Sequence, residues 1–167
     1  DIITDILDNV EAILKKTRVF SITLTNATIA RIIKRQFPGI PLVASVLMDI
    51  ASPAQLPMLE DCFDIIVVSS RIVRSIPQLF SFRNAWQGKL RMIVNEGCLS
   101  GCIFRTQHFY EMGSNMPYPK SLCNQLLKRQ PWLRLTGSWV LPQHLHFYDG
   151  LIDEFKLDGR VTLQNPE

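Results

Sequence analysis

The chain has 167 residues, 47% of them hydrophobic, with 18 Lys and Arg against 15 Asp and Glu. That much Leu, Ile, Val and Phe excludes a disordered chain, and four cysteines in this length are too sparse for a disulfide scaffold. The net charge of +3 is scattered rather than blocked, so there is no strong nucleic-acid signal, and no apolar run reaches the roughly 18 residues of a membrane span.

These features point to a cytoplasmic protein. The start at Asp1, without Met or a signal-type segment, points to a piece of something longer. Ile3, Ile6, Leu7, Val10, Ile13 and Leu14 recur at helical spacing, predicting a helix over Ile2 to Lys16. Val19 to Leu24 is β-branched and aromatic and reads as a strand. Asn26 then caps a helix over Ala27 to Gln36, which Pro38-Gly39 ends. The same order repeats three times. Pro41 to Leu47 is a strand, and Ser52-Pro53 opens a short helix to about Glu60. Phe63 to Val68 is a third strand, followed by a helix from Ile76 to Trp86 that stops at Gly88. Leu90 to Val94 is a fourth.

Strand starts near Phe20, Leu42, Asp64 and Leu90 lie 22, 22 and 26 residues apart. Strands apolar on both faces that alternate with helices predict an α/β fold with a parallel, helix-covered sheet. Two further strands are expected, at Leu133 to Gly137 and at Ile152 to Leu157. A gap of about 40 residues precedes the first of these, far above an ordinary βα loop. It carries Cys98, Cys102, Arg105, His108 and Cys123, and it starts at the carboxyl end of a strand, where parallel α/β folds place their sites.

Reading the polar residue just past each strand gives Asn26, Asp49, Ser69 with Ser70, Asn95 with Glu96, Ser138, and Lys156 with Arg160. On a curved sheet these converge on one rim. Asn26 and Ser70 are equally explained as helix caps. Glu96, Lys156 and Arg160 need partners, because a charge at a strand end inside a helix-flanked sheet is costly alone. Either they pair with one another or they bind an anionic or polar substrate.

Cys62 precedes the third strand and so lies at the opposite edge from Cys98, about 20 Å away along a strand of ordinary length. Thiolate–metal bonds are about 2.3 Å, which leaves Cys62 as a buried structural thiol. Cys98, Cys102 and Cys123 remain on the functional edge, with His108 as a candidate fourth ligand. Three thiolates near one point suit an iron–sulfur cluster or zinc, and reduced unligated thiols are the alternative. The radical SAM spacing C-x-x-x-C-x-x-C is absent, since Arg105 stands where its third cysteine would be. His144 and His146 lie two apart on a predicted short helix and face different ways. Trp132 and Trp139 read as packing groups. No Ser–His–Asp order, phosphate-cradling glycine loop or nucleophile elbow is present.

The stretch from Leu90 to Phe109 contains Asn95-Glu-Gly-Cys98-x-x-x-Cys102-x-x-Arg105-x-x-His108 and resembles the central segment of the collagenase-like peptidase family, also called U32. Further likeness comes from Thr25-Asn26 after an early strand, from Phe37-Pro38 before Val43 to Val46, and from Ser138 to Pro142 and Phe155 to Arg160. The resemblance spans about Val19 to Arg160. It implies a (β/α) barrel-type domain over residues 1–167. Members of the family are peptidases by name, yet several carry a four-cysteine iron–sulfur cluster and support oxygen-independent hydroxylation of RNA bases or quinone precursors. By that resemblance Cys98, Cys102 and Cys123 would hold a 4Fe-4S cluster, with zinc or no metal as alternatives. No fourth cysteine lies on the same edge; His108 or a residue beyond this chain would have to complete the set.

Three functions follow from different classes. The first is a cluster-dependent enzyme acting on a small-molecule, RNA or peptide substrate, with Asn26, Ser69, Asn95, Ser138, Lys156 and Arg160 shaping its pocket. The second is a peptidase or other hydrolase with Glu96, His108 and Arg105 at the chemistry. The third is a non-catalytic barrel that binds a peptide or protein partner. A closed eight-unit barrel needs about 250 residues, whereas six expected strands fit in 167 residues. The expectation is a partial TIM-type barrel, closed by missing sequence, a protein partner or a second copy.

Overall fold

Residues 1–113 and 122–158 are described by a computed structural model. Helix α1 (Ile2–Lys16) starts at an N-cap, Asp1, whose side chain accepts the Ile3 amide at 2.8 Å. Its Ile6, Leu7 and Val10 are partly buried and pack against the main core. Strand β1 (Ile22–Leu24) then leads to α2 (Ala27–Gln36) and β2 (Leu42–Ala44). Next come β3 (Ile65–Val67), α3 (Ile76–Ala85) and β4 (Lys89–Ile93). Beyond β4 lie α4 (Arg105–Gly113), α5 (Leu122–Arg129) and, after two 3-10 segments, β5 (Glu154–Lys156).

The five strands form one parallel sheet in the order β1-β2-β3-β4-β5, so each connection steps to the next position. That progression is the barrel wall the strand–helix repeat predicts, left incomplete. Both faces are apolar, as parallel sheets require. Leu42, Ala44, Ile66, Leu90 and Met92 join Ala30 and Ile33 of α2 and Leu79 and Phe82 of α3 in the main core. The alternate residues Val43, Ile65, Val67 and Ile93 form a second cluster with Val46 on the other face. Gly88 closes α3 where the backbone passes β3, since a Cβ there would meet the Asp64 carbonyl oxygen at 2.5 Å.

Three expected elements differ. The strand expected at Leu133 to Gly137 is a 3-10 helix, Pro131–Thr136, so the sheet has five strands among the described residues. Pro131 opens it, Leu133 and Gly137 donate to the Gln130 and Arg134 carbonyls, and Trp132 and Leu135 remain exposed. Local turn bonds take up its amides, and among the described residues its pairing is limited to an isolated bridge between Gly137 and Leu99. Strand β2 stops at Ala44, because Ser45 caps a 3-10 turn over Val46–Met48. The segment after Ser52 has the expected cap, reinforced by Gln55, yet it is a 3-10 helix over Pro53–Met58 that contains Pro57. No helix among the described residues is long and apolar enough to cross a membrane.

Candidate functional site

The carboxyl end of β4 is gripped from two sides. Val94 N donates to the Lys156 carbonyl at 3.1 Å, and the Val94 carbonyl accepts from Val140 N at 2.7 Å. Asn95 follows directly and is committed to structure: Nδ2 donates to the Asp158 carbonyl at 2.8 Å and Oδ1 accepts Asp158 N at 2.7 Å. Its side chain thereby ties the ends of β4 and β5 together.

Glu96 comes next and is 3% exposed. Arg105, the first residue of α4, donates from Nε to Glu96 Oε1 at 2.8 Å, and its side chain is 10% exposed. The guanidinium also lies 5.1 Å over the Phe109 ring one turn along α4. Glu96 Oε2 and Arg105 Nη2 are buried without a hydrogen bond among the described residues.

The loop between these two residues carries Cys98 and Cys102, both half-buried. Gly101 turns it with φ +67°, a left-handed conformation that suits glycine. Leu99 makes an isolated bridge with Gly137, and Ser100 N donates to the Thr136 carbonyl at 3.1 Å. Ser138, 4% exposed, is therefore set beside the cysteine loop by this bridge and not by the end of a strand. Burial, and then the neighbouring Glu96 carboxylate, push the Cys98 thiol up to about 11, with Arg105 pulling the other way. Cys123, on the first turn of α5, is raised by burial and by contact with Cys102. Cys102 and Cys123 share a cavity of about 490 Å³ walled by Leu99, Phe104, Leu126 and Arg129. The three cysteines thus gather on one rim. Among the described residues, however, no three His, Cys, Asp or Glu side chains converge as a group able to hold a metal ion.

His108 is half-buried on α4, one turn past Arg105, with its ring stacked on Phe109 at 5.9 Å between centroids. Cys62 is fully buried at the opposite edge of the sheet; its Sγ donates to the Leu59 carbonyl, and burial pushes its thiol up to about 11. Asn26 caps α2, accepting Ile29 N at 3.1 Å. Lys156 lies within β5, in register with Ile93, rather than past it. Arg160 lies outside the described residues. His144 and His146 sit on a 3-10 helix over Pro142–Tyr148.

Beside β4, the end of β3 carries a network that sequence reading found only in part. Ser69, fully buried, donates from Oγ to Asp49 Oδ1 at 2.5 Å, and Arg71 pairs with Asp49 Oδ2 at 2.9 Å. Asp49 adopts a left-handed conformation with φ 51° at the end of the Val46–Met48 turn. Arg71 was missed because nothing but its position, two residues past a serine at a strand end, marks it.

A parallel sheet in sequential order, with its polar residues and thiols at the carboxyl ends of the strands, defines a barrel-type α/β domain. Comparison with known proteins narrows that class. No family model matches the chain. An uncharacterized protease of Methanocaldococcus jannaschii is 32% identical over 103 residues, which is 57% of this chain and 31% of that protein. The solved structure of a U32 peptidase matches with a TM-score of 0.58 at 12% identity, covering 84% of this chain and 55% of the other. The chain therefore spans about a third of the length of the curated relative and about half of that peptidase chain. The relationship in sequence and the shared fold bear out the resemblance to the collagenase-like, U32 peptidase family.

Proposed function

We propose that this chain is the metal-centre part of an enzyme of the collagenase-like peptidase family, with Cys98, Cys102 and Cys123 as ligands of an iron–sulfur cluster. The observation that carries the reading is the meeting of two thiols from separate segments, Cys102 of the β4–α4 loop and Cys123 of α5, at the rim where this fold places chemistry; Cys98 lies on the same loop and would have to close in to complete a ligand group. Three thiols form a soft donor set suited to iron–sulfur or zinc. A bound cation would also hold as thiolates groups that burial otherwise keeps protonated. A fourth ligand would come from His108 or from a residue outside this chain.

When bound, such a cluster supplies one-electron chemistry. The residues of this chain do the rest: Leu99, Phe104 and Leu126 give the open cavity beside Cys102 and Cys123 an apolar wall, and Arg129 in its lining offers a charge to a polar or anionic substrate group. Oxygen-independent hydroxylation of a small-molecule, RNA or peptide substrate is the reaction class that fits a cluster in this family. Hydrolysis without metal fits the geometry less well. A thiol nucleophile needs a lowered pKa, and Cys98 has a raised one. Glu96, the candidate base, is 3% exposed with one oxygen committed to Arg105.

Metal and acid-labile sulfide analysis of the full-length protein, purified without oxygen, tests the proposal. Iron with sulfide, lost together in Cys98→Ser, Cys102→Ser and Cys123→Ser variants, is the expected result. Zinc without sulfide, or a metal-free protein that turns over peptide substrates unchanged in all three variants, overturns it.

A further inference from the structure

We infer that the buried Glu96–Arg105 pair is a clamp that positions the cysteine loop, and that neither residue exchanges protons with a substrate. The purpose of the clamp rests on the metal-centre reading above; its geometry does not.

The placement is specific. Glu96 stands two residues before Cys98, and Arg105 three residues after Cys102, so their 2.8 Å bond joins the two roots of the loop that carries both thiols. Each root is itself fixed. Glu96 extends from the strand end held by the Val94–Lys156 and Val140–Val94 bonds, while Arg105 begins α4 and is oriented by the Phe109 ring. The loop has little packing of its own: Ile103 is 85% exposed and Phe104 47%. Among the described residues its further ties include the Leu99–Gly137 bridge, the Ser100 bond to Thr136, and turn bonds from Cys102 N to the Leu99 carbonyl at 3.2 Å and from Arg105 N to the Cys102 carbonyl at 3.3 Å.

Stability does not explain the pair. A buried ion pair is a weak source of folding energy and apolar replacements of similar volume are often neutral or better, whereas removing one partner strands a buried charge. Among the described residues Glu96 Oε2 and Arg105 Nη2 accept and donate no further hydrogen bond, so the pair itself carries the burial of both charges. A pair that is a weak source of folding energy yet spans the roots of the ligand loop is accounted for by holding that loop in one place.

This separates two quantities that usually move together. The full-length protein is compared as wild type, Glu96→Gln, Arg105→Met, the double variant Glu96→Met/Arg105→Met, and the exchanged pair Glu96→Arg/Arg105→Glu. The melting temperature is read beside the rate at which iodoacetamide labels Cys98 in metal-free protein. Retention of iron after loading with ferrous iron and sulfide is the third readout. The single variants melt lower and label faster. The double apolar variant recovers the wild-type melting temperature or exceeds it but still labels fast, and its iron affinity falls about 10- to 100-fold. The exchanged pair recovers slow labelling in part.

If the double apolar variant labels as slowly as wild type and retains iron as well, the clamp is overturned. The same holds if it melts as low as the single variants, since the pair would then be a stability element. If no protein, wild type included, takes up iron and sulfide while labelling still divides as described, the clamp stands and the metal-centre reading falls.

Discussion

The segment from β1 to β4 and the connection from β4 to β5 are held together by different means. In the first, strands and helices share a sealed apolar core in which Leu42, Ile66, Leu79, Phe82, Leu90 and Met92 are fully buried. In the second, Ile103, Tyr110, Trp132, Leu135 and Phe147 are exposed. Its far end is anchored in the main core by Tyr148 and Ile152, while the cysteine loop and its surroundings are tied by polar bonds: Glu96 to Arg105, Asn95 to Asp158, and Arg74 to the Leu135 and Trp139 carbonyls. The cysteines divide the same way. Cys62 is sealed in the core, whereas Cys98, Cys102 and Cys123 are half-buried in the connection. A core built by area burial gives the site a fixed rim, and a loop held by a few directional bonds leaves thiols within reach of a ligand.

The largest expected effect tests the first half. Phe82 is fully buried on α3 against the sheet, and truncation to alanine removes a large apolar side chain from a close-packed setting. The Phe82→Ala variant is expected to lose about 3–5 kcal/mol of unfolding free energy in urea denaturation. A loss below about 1 kcal/mol would show that the core collapses around the gap, and the contrast between the two regions would go with it.

How far each region was legible from sequence follows the same division. Apolar runs at Phe63 to Val68 and Leu90 to Val94 announce their strands because burial selects residue type, the spacing of Ile6, Leu7 and Val10 announces α1, and the Asn26 cap with the Pro38-Gly39 stop announces α2. The run at Leu133 to Gly137 misleads for the converse reason: Leu135 is 68% exposed and Leu133 only partly buried, so their alternation does not record a buried strand face. In the site, the cysteine spacing was visible, and so was the need of Glu96 for a partner. That Arg105 supplies the partner was not, because the pairing depends on α4 starting at that residue. The Ser69–Asp49–Arg71 network was half visible, since its geometry rests on the left-handed backbone at Asp49, which residue identity alone does not reveal.

A second prediction uses the sealed cysteine. Burial raises the Cys62 thiol from its ordinary 9.0 to about 11, so the folded state keeps its proton to higher pH than the unfolded state does. The stability this contributes is complete below about pH 9 and is lost as pH rises to about 11. Over that window wild type should lose about 2 kcal/mol more than Cys62→Ala, whose baseline is lower but whose slope lacks this titration. Parallel slopes would show that burial does not hold the Cys62 proton, and the sealing of the core around Cys62 would fall with it.

The smallest effect separates rim residues that build the fold from those that serve the site. Asn26 lies at a strand end, as a substrate-binding residue would, yet its Oδ1 is committed to the Ile29 amide at the start of α2. Loss of an N-cap costs about 1 kcal/mol. An Asn26→Ala variant should therefore unfold at slightly lower urea, and its iron content and turnover should match wild type once folded. A drop in turnover with stability unchanged would instead assign the side chain to the substrate. In that case the rim would have to be read as extending across the sheet from β4 to β1, with catalytic contacts drawn from the rigid half of the molecule as well as from the loop.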